Sequence, residues 1–471
     1  MNTLEPDHYH PARLMIAGIG GDSGKTLATL GLITAWRRKG ITIVPFKKGP
    51  DYIDPAWLSL ASGVETHNLD TWMMGQTETV HAFTKYATDS GINVIEANRG
   101  LYDGEDAVGS HSSAVLAKLL GVPVVVVIPV TKVTRTVAAI VLGLKNLDPD
   151  VPIAGVILNR VGTDRQEKVI RRAIDDSTGL PVLGAMPRWR GGNLLPGRHL
   201  GLVTPDEHQQ AEQAVNVVAN IVTDSVDIDR LQNIACNVGS LPSIVKTNQT
   251  KIDTPDGAGL RIGYFTGSAF TFYYPENLEV LKATGAELLP VNPLDDDGLP
   301  DVDVLYIGGG FPETHAVYLS ENESFRRAVA VATDNGLPVW AECGGLMFLS
   351  RRIIVQSQVY PMAGVLPVDV VMHKRPQGHG YQEVTVDRNN PFIPVGTVMR
   401  GHEFHYSQVT TDGDVETIFN IGRGSGIGGG RDGITIKNVL ACYMHIHSSA
   451  VPMWCEWMIT AGRNFAAKNY K

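Results

Sequence analysis

A glycine-rich loop that ends in a lysine and a threonine predicts a phosphate-binding site. The loop reads GIGGDSGKT, follows the apolar run ARLMIA and precedes a segment with apolar residues at helical spacing. In such a loop, glycine N–H groups converge on phosphate oxygens, the lysine neutralises the outer phosphates and the hydroxyl ligates Mg²⁺. The first glycine stands one residue further from the lysine than in the commonest form of the motif, and an ordinary glycine turn is the alternative. We expect phosphate contacts from Gly18, Gly20, Gly21, Ser23, Gly24, Lys25 and Thr26.

Two acidic residues at the ends of predicted strands are candidate Mg²⁺ ligands beside Thr26. Glu96 ends the run NVIE, and Asp51 lies in GPDYIDP after the run ITIVPF. Magnesium prefers oxygen ligands, and the carboxyl ends of parallel strands face the ligand crevice of such sheets. A solvated loop carboxylate is the alternative for both. Asn159 and Arg160, at the end of VILNRV, are in the same way candidates for contacts with a purine base.

A cysteine between an apolar run and two glycines predicts a thiol nucleophile. Cys343 follows LPVWAE, where a sharp strand-to-helix turn would expose its sulfur above a helix N-terminus. His445, in YMHIH near the end of the chain, is the best-placed base, and alternation predicts that it shares one side of a strand with His447. Such a pair hydrolyses glutamine through a thioester, whose oxyanion needs backbone N–H donors. The candidates for these donors are Gly309, Gly310 and Gly344.

Two α/β domains are needed to position these residues. Residues 12–222 alternate apolar strand patterns with helical segments, which predicts a parallel sheet covered by helices. Residues 223–258 are polar with little periodicity, and we interpret them as a linker with room for one short helix. Residues 259–471 begin a second α/β domain at LRIGYF and become rich in strand patterns from about residue 360.

Composition and charge restrict the class of protein. The chain has 471 residues and a formal net charge of −9, which argues against a nucleic-acid surface. Its longest apolar run, residues 122–130, has the length of a strand and is far too short for a membrane span. The four cysteines form no C-x-x-C pair, so we expect neither a metal site of that type nor a disulfide framework. A cytoplasmic protein is therefore expected.

Taken together, these motifs resemble the cobyrinate a,c-diamide synthase family (CbiA/CobB type). The resemblance extends from about residue 14 to residue 447, in the order of the family. Besides the phosphate loop and the terminal YMHIH, it is carried by GPDYIDP (49–55), NLD (68–70), RGLYDG (99–104), YYPENLEVL (273–281), GGGFPE (308–313), AECGG (341–345) and GHEFHYS (401–407).

The resemblance implies a glutamine-hydrolysing carbon–nitrogen ligase with two α/β domains. The first would be a phosphate-loop synthetase domain like that of dethiobiotin synthetase, and the second a class-I-type glutamine amidotransferase domain. ATP with Mg²⁺ would phosphorylate an acetate carboxylate of an anionic tetrapyrrole, and ammonia from L-glutamine would displace the phosphate. Cys343 would be the nucleophile and His445 its activating base. A homodimer is a further expectation, and the motifs offer these residues for substrate binding: Asp54, Asn68, Asp70, Arg99 and Tyr102.

One departure from ordinary class-I glutaminases concerns the residue that orients the histidine. Many of them carry His-x-Glu, in which the acid holds the catalytic histidine. This chain has His447 in the place of that acid. The group that orients His445 therefore stays unidentified from the sequence.

The identity of the tetrapyrrole depends on residues 96–104. This chain reads EANRGLYDG where many cobyrinate enzymes have EGVMGLYDG. Asn98-Arg99 and the segment TKVTRTVAAIVLG (131–143) are more similar to the siroheme amidases encoded with dissimilatory sulfite reductase (DsrN type). A guanidinium at residue 99 could bind a substrate carboxylate in bidentate fashion, or form a structural ion pair instead. We favour a siroheme-type substrate, with cobyrinate or hydrogenobyrinate next and nickel-sirohydrochlorin third.

Two other classes of protein are alternatives to an amidating enzyme. A MinD-like ATPase switch would use the phosphate loop to control partner binding, but it would leave Cys343 without a role. A scaffold that has lost its chemistry is contradicted by the joint presence of Lys25, Thr26, Glu96 and Cys343.

Overall fold

A computed structural model describes residues 10–189, 191, 194–198, 201–242 and 254–469. The chain divides into two compact units, residues 1–247 and 248–471. Within the described residues, no helix combines the length and the apolar character needed to cross a bilayer.

The first unit is built on a parallel sheet in the order β3-β2-β4-β1-β5-β6-β7. Its central strands are nearly continuous runs of buried apolar residues, as expected for a sheet covered on both faces. The strands are β1 Arg13–Gly18, β2 Ile43–Lys48, β3 His67–Leu69, β4 Ile92–Glu96, β5 Val124–Pro129, β6 Ile153–Val161 and β7 Val182–Pro187. A short ribbon of β8 Gly197–Arg198 and β9 Gly201–Leu202 follows.

Helices connect the parallel strands of this unit, and further helices follow β7. They are α1 Lys25–Arg38, α2 Ile53–Ser62, α3 Gly75–Tyr86, α4 Ser113–Leu120, α5 Thr136–Leu147, α6 Asp164–Thr178, α7 Ala211–Ser225 and α8 Ile228–Cys236. Helix α1 packs so closely on α7 that a Cβ on Gly31 would lie 2.2 Å from Cγ2 of Val222. This contact anchors the helix that carries Lys25 and Thr26 at its first turn.

The stretch expected as a linker, 223–258, is partly built into the first unit. Helix α7 ends within it at Ser225, and α8 buries Leu231 and Ala235 completely. The indole N–H of Trp36 in α1 donates to the carbonyl of Ile228, 3.2 Å away, which ties α8 to α1. Residues 243–253 of the expected linker lie outside the described residues.

The second unit is built on a mixed sheet in the order β11-β10-β12-β13-β22-β21-β20-β17-β18, whose first five strands run parallel. A smaller sheet has the order β15-β14-β16-β19. The strands are β10 Arg261–Phe265, β11 Glu287–Val291, β12 Val304–Ile307, β13 Val339–Glu342, β14 Arg352–Val355, β15 Gln358–Pro361, β16 Asp369–Met372, β17 Gly378–Val386, β18 Val398–His405, β19 Ser407–Thr410, β20 Thr417–Arg423, β21 Arg431–Ile436 and β22 Val439–Cys442.

Alternate residues of β12 enter two separate apolar cores, one on each face of the mixed sheet. Leu305 and Ile307 belong to one core, whereas Val304 and Tyr306 belong to the other. This alternation follows from the two-residue period of a strand. The helices of this unit are α9 Pro275–Ala283, α10 Ala316–Glu321, α11 Glu323–Asp334, α12 Gly344–Leu349 and α13 Trp454–Asn469.

One element of the second unit differs from the sequence-based prediction. The segment YMHIH was expected to be a strand with both histidines on one side, but β22 ends at Cys442. His445 instead forms an isolated antiparallel bridge with His402. The two histidines consequently face different partners. The α/β class predicted for both domains is confirmed.

Candidate functional site

The glycine-rich loop lies between the end of β1 at Gly18 and the start of α1 at Lys25. Gly24 has φ of 92°, in the left-handed region where a side chain is strained. A Cβ at Gly24 would also lie 2.0 Å from Nδ2 of Asn159. Glycine is therefore required at this position by both the backbone conformation and the close approach of Asn159.

Hydrogen bonds from polar side chains to backbone carbonyl oxygens stabilise the loop. The hydroxyl of Ser23 donates to the carbonyl of Gly20, and the Nδ2 of Asn159 donates to the carbonyl of Ser23 at 2.9 Å. The Lys25 ammonium donates to the same Gly20 carbonyl at 3.0 Å. Gly20 and Gly21 border open space, since an added Cβ would meet no atom within 4 Å at either. This opening leaves room for an anion beside the ammonium.

The electrostatics of Lys25 favour an anion. Its side chain is largely buried, and burial together with the nearby charge of Lys47 lowers the pKa of its ammonium. Both effects disfavour the charged form, and a bound phosphate would oppose them. Glu96, Asp54 and Asp103 act in the opposite direction on this ammonium, so the charge of Lys25 depends on carboxylates behind the loop as well as on a bound anion.

A buried acidic cluster lies directly behind the loop. Lys47 and Glu96 are paired neighbours across β2 and β4, and the Nζ–Oε1 distance is 2.7 Å. The Thr26 hydroxyl donates to the same Oε1 at 3.0 Å. Burial raises the pKa of Glu96 to about 7, although Lys47 opposes the shift. Burial also acts to raise the pKa of Asp54, but its contact with Lys47 prevails and lowers it.

This cluster fits a magnesium ion that is shared with phosphates. The Oε2 of Glu96 is buried and has no hydrogen-bond partner, although its other oxygen has two. Mg²⁺ typically takes one or two carboxylates, with waters and phosphate oxygens completing the octahedron. Glu96 could supply a carboxylate oxygen and Thr26 a hydroxyl oxygen, and Asp51 is the candidate for a second carboxylate. The described part of the chain contains no group of three or more His, Cys, Asp or Glu side chains arranged to hold a metal by themselves.

Three other candidate residues, which lie at the ends of β2 and β3, hold the local backbone. Asp51 Oδ1 accepts from the N–H groups of Ile53 and Asp54 at the start of α2. Asn68 Nδ2 donates to the carbonyl oxygens of Gly49 and Asp51, both 2.8 Å away. Asp70, which is fully buried, accepts from two backbone N–H groups that follow it. Asp51 Oδ2 also lies 3.8 Å from the Lys47 ammonium, which places it at the edge of the acidic cluster.

Arg99 is exposed and has φ of 49°. Lys48 lies near it and is buried. Burial lowers the pKa of Lys48, the charge of Asp70 acts to raise it, and the charge of Arg99 lowers it further. The two cations therefore interact electrostatically near the ends of β2 and β4. Tyr102, another candidate, donates its hydroxyl to the carbonyl of Leu144 at 2.6 Å, which ties its loop to α5.

A cavity of about 480 Å³ opens beside the glycine-rich loop. Its lining includes Gly24, Leu27, Asn159, Arg160, Met186 and Trp189. The amide of Asn159 is engaged on both sides, because its Oδ1 accepts from the backbone N–H of Arg160. Met186, which lies in β7, and Trp189, which follows that strand, were not found from the sequence because neither stands in a recognised motif.

In the second unit, Cys343 occupies the turn between β13 and α12. Its φ of 49° and ψ of −97° are strained values for a side-chain-bearing residue. The thiol was expected to be exposed, but only 4% of the residue is accessible. Burial raises the pKa of Cys343, with a further increase from the carboxylate of Glu313. A proton acceptor is therefore needed to generate the thiolate.

His445 follows β22, the parallel neighbour of β13, so Cys343 and His445 both lie just beyond the carboxyl ends of adjacent strands. A Cβ on Gly309 would lie 2.4 Å from Cε1 and 3.2 Å from Nε2 of His445, so this ring edge faces the glycine turn. A Cβ on Gly344 would lie 3.0 Å from the N of Gly310. The predicted nucleophile turn, the base and the three candidate oxyanion glycines thus come together.

The remaining surroundings of His445 were not found from the sequence. Its Nδ1 lies 3.4 Å from Oε2 of Glu342, and both side chains are almost completely buried. Its ring stacks on His402, with centroids 4.9 Å apart. His447 instead lies 3.4 Å from a carboxylate oxygen of Glu276 in α9.

Comparisons with known proteins match both units. Residues 14–202 match the model of the CobQ/CobB/MinD/ParA nucleotide binding domain, and residues 261–452 match the CobB/CobQ-like glutamine amidotransferase domain. A cobyrinate a,c-diamide synthase of Magnetococcus marinus is 41% identical over 96% of this chain and 97% of its own. Proteins of the same description from Archaeoglobus fulgidus (39% identical, 92% and 94% covered) and Listeria innocua (36%, 96% and 99%) are also similar along their length.

Proposed function

This chain belongs to the cobyrinate a,c-diamide synthase family, a family of glutamine-dependent amidating ligases, and we propose that it converts the a and c acetate carboxylates of a tetrapyrrole into carboxamides with ATP and Mg²⁺. The observation that carries the proposal is the presence of two complementary sites in one chain. One unit has a phosphate loop next to a buried carboxylate, and the other has a strained cysteine next to a buried histidine.

The cysteine site would release ammonia from glutamine. His445 takes the thiol proton, and the sulfur of Cys343 attacks the amide carbon. Backbone N–H groups at Gly309, Gly310 and Gly344 would stabilise the oxyanion of the tetrahedral intermediate. The imidazolium of His445 gives its proton to the leaving nitrogen, so the intermediate expels ammonia and leaves a thioester, which water hydrolyses to glutamate and free thiol.

The phosphate loop would make a carboxylate electrophilic. A carboxylate oxygen of the substrate attacks the γ-phosphorus of ATP, and ADP leaves. Ammonia then attacks the acyl carbon, and phosphate departs with that oxygen. Lys25 would neutralise the γ-phosphate during transfer, while Mg²⁺ held by Thr26, Glu96 and Asp51 would supply further charge.

The cavity beside Gly24 is the proposed position of the nucleotide base. It adjoins the loop and is lined by apolar Leu27 and Met186 and by Trp189, whose ring could stack on a purine. Asn159 would act there mainly by fixing the loop, because both ends of its amide are already engaged by the backbone.

A siroheme-type tetrapyrrole is the substrate that we favour. Asn98-Arg99 supports this choice, and the exposed guanidinium near the Lys48 ammonium provides two cations for substrate carboxylates. Cobyrinate is the second candidate, because it is the substrate in the names of the relatives with 36–41% identity. Nickel-sirohydrochlorin is the third.

Product analysis tests the proposal. Purified protein would be incubated with ATP, Mg²⁺ and glutamine and with siroheme, sirohydrochlorin, its nickel complex or cobyrinate in separate reactions, followed by mass spectrometry. Two amide groups on siroheme and none on cobyrinate is the expected result. Amidation of cobyrinate alone would overturn the substrate choice, and ATP hydrolysis without amidation of any tetrapyrrole would favour an ATPase switch.

A further inference from the structure

The carboxylate of Glu342 lies next to the base of the cysteine site. Its Oε2 is 3.4 Å from Nδ1 of His445, and neither side chain is more than 2% exposed. Trp340 Nε1 donates to the other oxygen at 3.0 Å, and the Tyr306 hydroxyl donates to Oε2 at 3.4 Å. Two donors that belong to the core therefore fix the carboxylate at the Nδ1 edge of the imidazole.

The two nitrogens of His445 face different groups. The Nδ1 faces Glu342, whereas the Cε1–Nε2 edge lies against Gly309, in the turn that approaches Gly344 beside the nucleophile. A base that accepts the thiol proton at Nε2 must carry its first proton on Nδ1. A carboxylate at Nδ1 selects this tautomer and stabilises the imidazolium that forms.

We propose that Glu342 is the positioning residue for His445, and that it replaces the acid missing from the His-x-Glu position. This inference rests on the proposed glutaminase chemistry of Cys343 and His445. A distance of 3.4 Å is long for a hydrogen bond, but catalytic hydrogen bonds often shorten only when substrate is bound. The acid is thus supplied by the residue immediately before the nucleophile in the chain.

A second buried pair provides a matched comparison. His447 stands where many glutaminases have their acid, and its Nε2 lies 3.4 Å from Oε2 of Glu276. The Nδ1 of His447 accepts from the backbone N–H of Ser449 at 3.1 Å, so one ring nitrogen contacts the backbone and the other contacts Glu276. The His447–Glu276 pair has the same distance as the proposed pair and similar burial, but the ring of His447 packs against Tyr274.

The test compares Glu342→Gln with Glu276→Gln. In Glu342→Gln, the amide oxygen can still accept from Trp340, which leaves the NH₂ group facing Nδ1 of His445. This arrangement favours the tautomer with the proton on Nε2, which cannot accept the thiol proton there. We expect kcat for glutamate release to fall by about 10³-fold in Glu342→Gln with little change in KM for glutamine. The rate of Cys343 alkylation by iodoacetamide should fall as well, because less thiolate forms. Glu276→Gln should stay within about threefold of the wild type in both measurements.

Two outcomes would overturn the inference. One is a Glu342→Gln enzyme that releases glutamate and alkylates at wild-type rates. The other is equal loss in both variants together with loss of amidation driven by ammonium chloride, which would indicate a general structural defect. Glutamate release and alkylation need no tetrapyrrole, so the role of Glu342 can be judged even if the proposed amidation fails. If wild-type glutamate release is too slow to measure, the alkylation rates decide alone.

Discussion

Substitution of Gly309 by alanine should selectively disable the glutamine-dependent reaction. Gly309 is not among the glycines with positive φ, so its backbone accepts an alanine. The added methyl group would lie 2.4 Å from Cε1 of His445, whereas ordinary carbon contacts begin near 3.4 Å. Either the imidazole or the glycine turn must consequently move by about 1 Å.

The size of the effect follows from this displacement. A misplacement of about 1 Å in a catalytic group can lower a rate by about 10²-fold. We therefore expect kcat for glutamate release to fall by about 10²-fold in Gly309→Ala. Amidation with ammonium chloride should continue, because it needs neither Cys343 nor His445.

The assay measures glutamate release and ammonium-dependent amide formation in the same preparations. Gly413→Ala is a suitable control in the same unit, since a Cβ there would meet no atom within 4 Å and its φ is not positive. Wild-type glutamate release by Gly309→Ala would refute the placement of the His445 ring. Loss of ammonium-dependent amidation would instead refute the independence of the two reactions.

Three further predictions concern the first unit. Lys25→Ala should stop amidation from either nitrogen source, because the phosphates lose their cation; continued ADP release coupled to amidation would contradict this. Asn159→Ala removes the bond to the Ser23 carbonyl and should raise the KM for ATP about fivefold, with glutamate release unchanged. An unchanged KM for ATP would show that the loop keeps its conformation without the hydrogen bond from Asn159. Arg99→Met should raise the KM for the tetrapyrrole more than that for ATP, and equal changes would return Arg99 to a structural role.

Much of the fold and of the reactive groups follows from local sequence. The apolar runs identify the parallel strands, and the glycine loop and the AECGG turn identify Lys25 and Cys343 because each reactive residue lies inside its own motif. The α/β class and the family assigned from these motifs are confirmed. Local sequence therefore identifies the reactive groups.

Long-range pairing could not be predicted in the same way. Glu342 lies inside a recognised motif, but its contact with His445 depends on the parallel register of β13 on β22. The contact between Lys47 and Glu96 depends similarly on the register of β2 on β4. Helix α8 was assigned to a linker because a helix of only nine residues gives a weak periodic signal.

Transfer of a substrate oxygen to phosphate tests the central chemical claim most directly. A tetrapyrrole labelled with oxygen-18 in its acetate carboxylates would be incubated with ATP and glutamine, and the released phosphate would be analysed by mass spectrometry. Activation through an acyl phosphate predicts one labelled oxygen in the phosphate for each amide formed. Amide formation with unlabelled phosphate would contradict the mechanism.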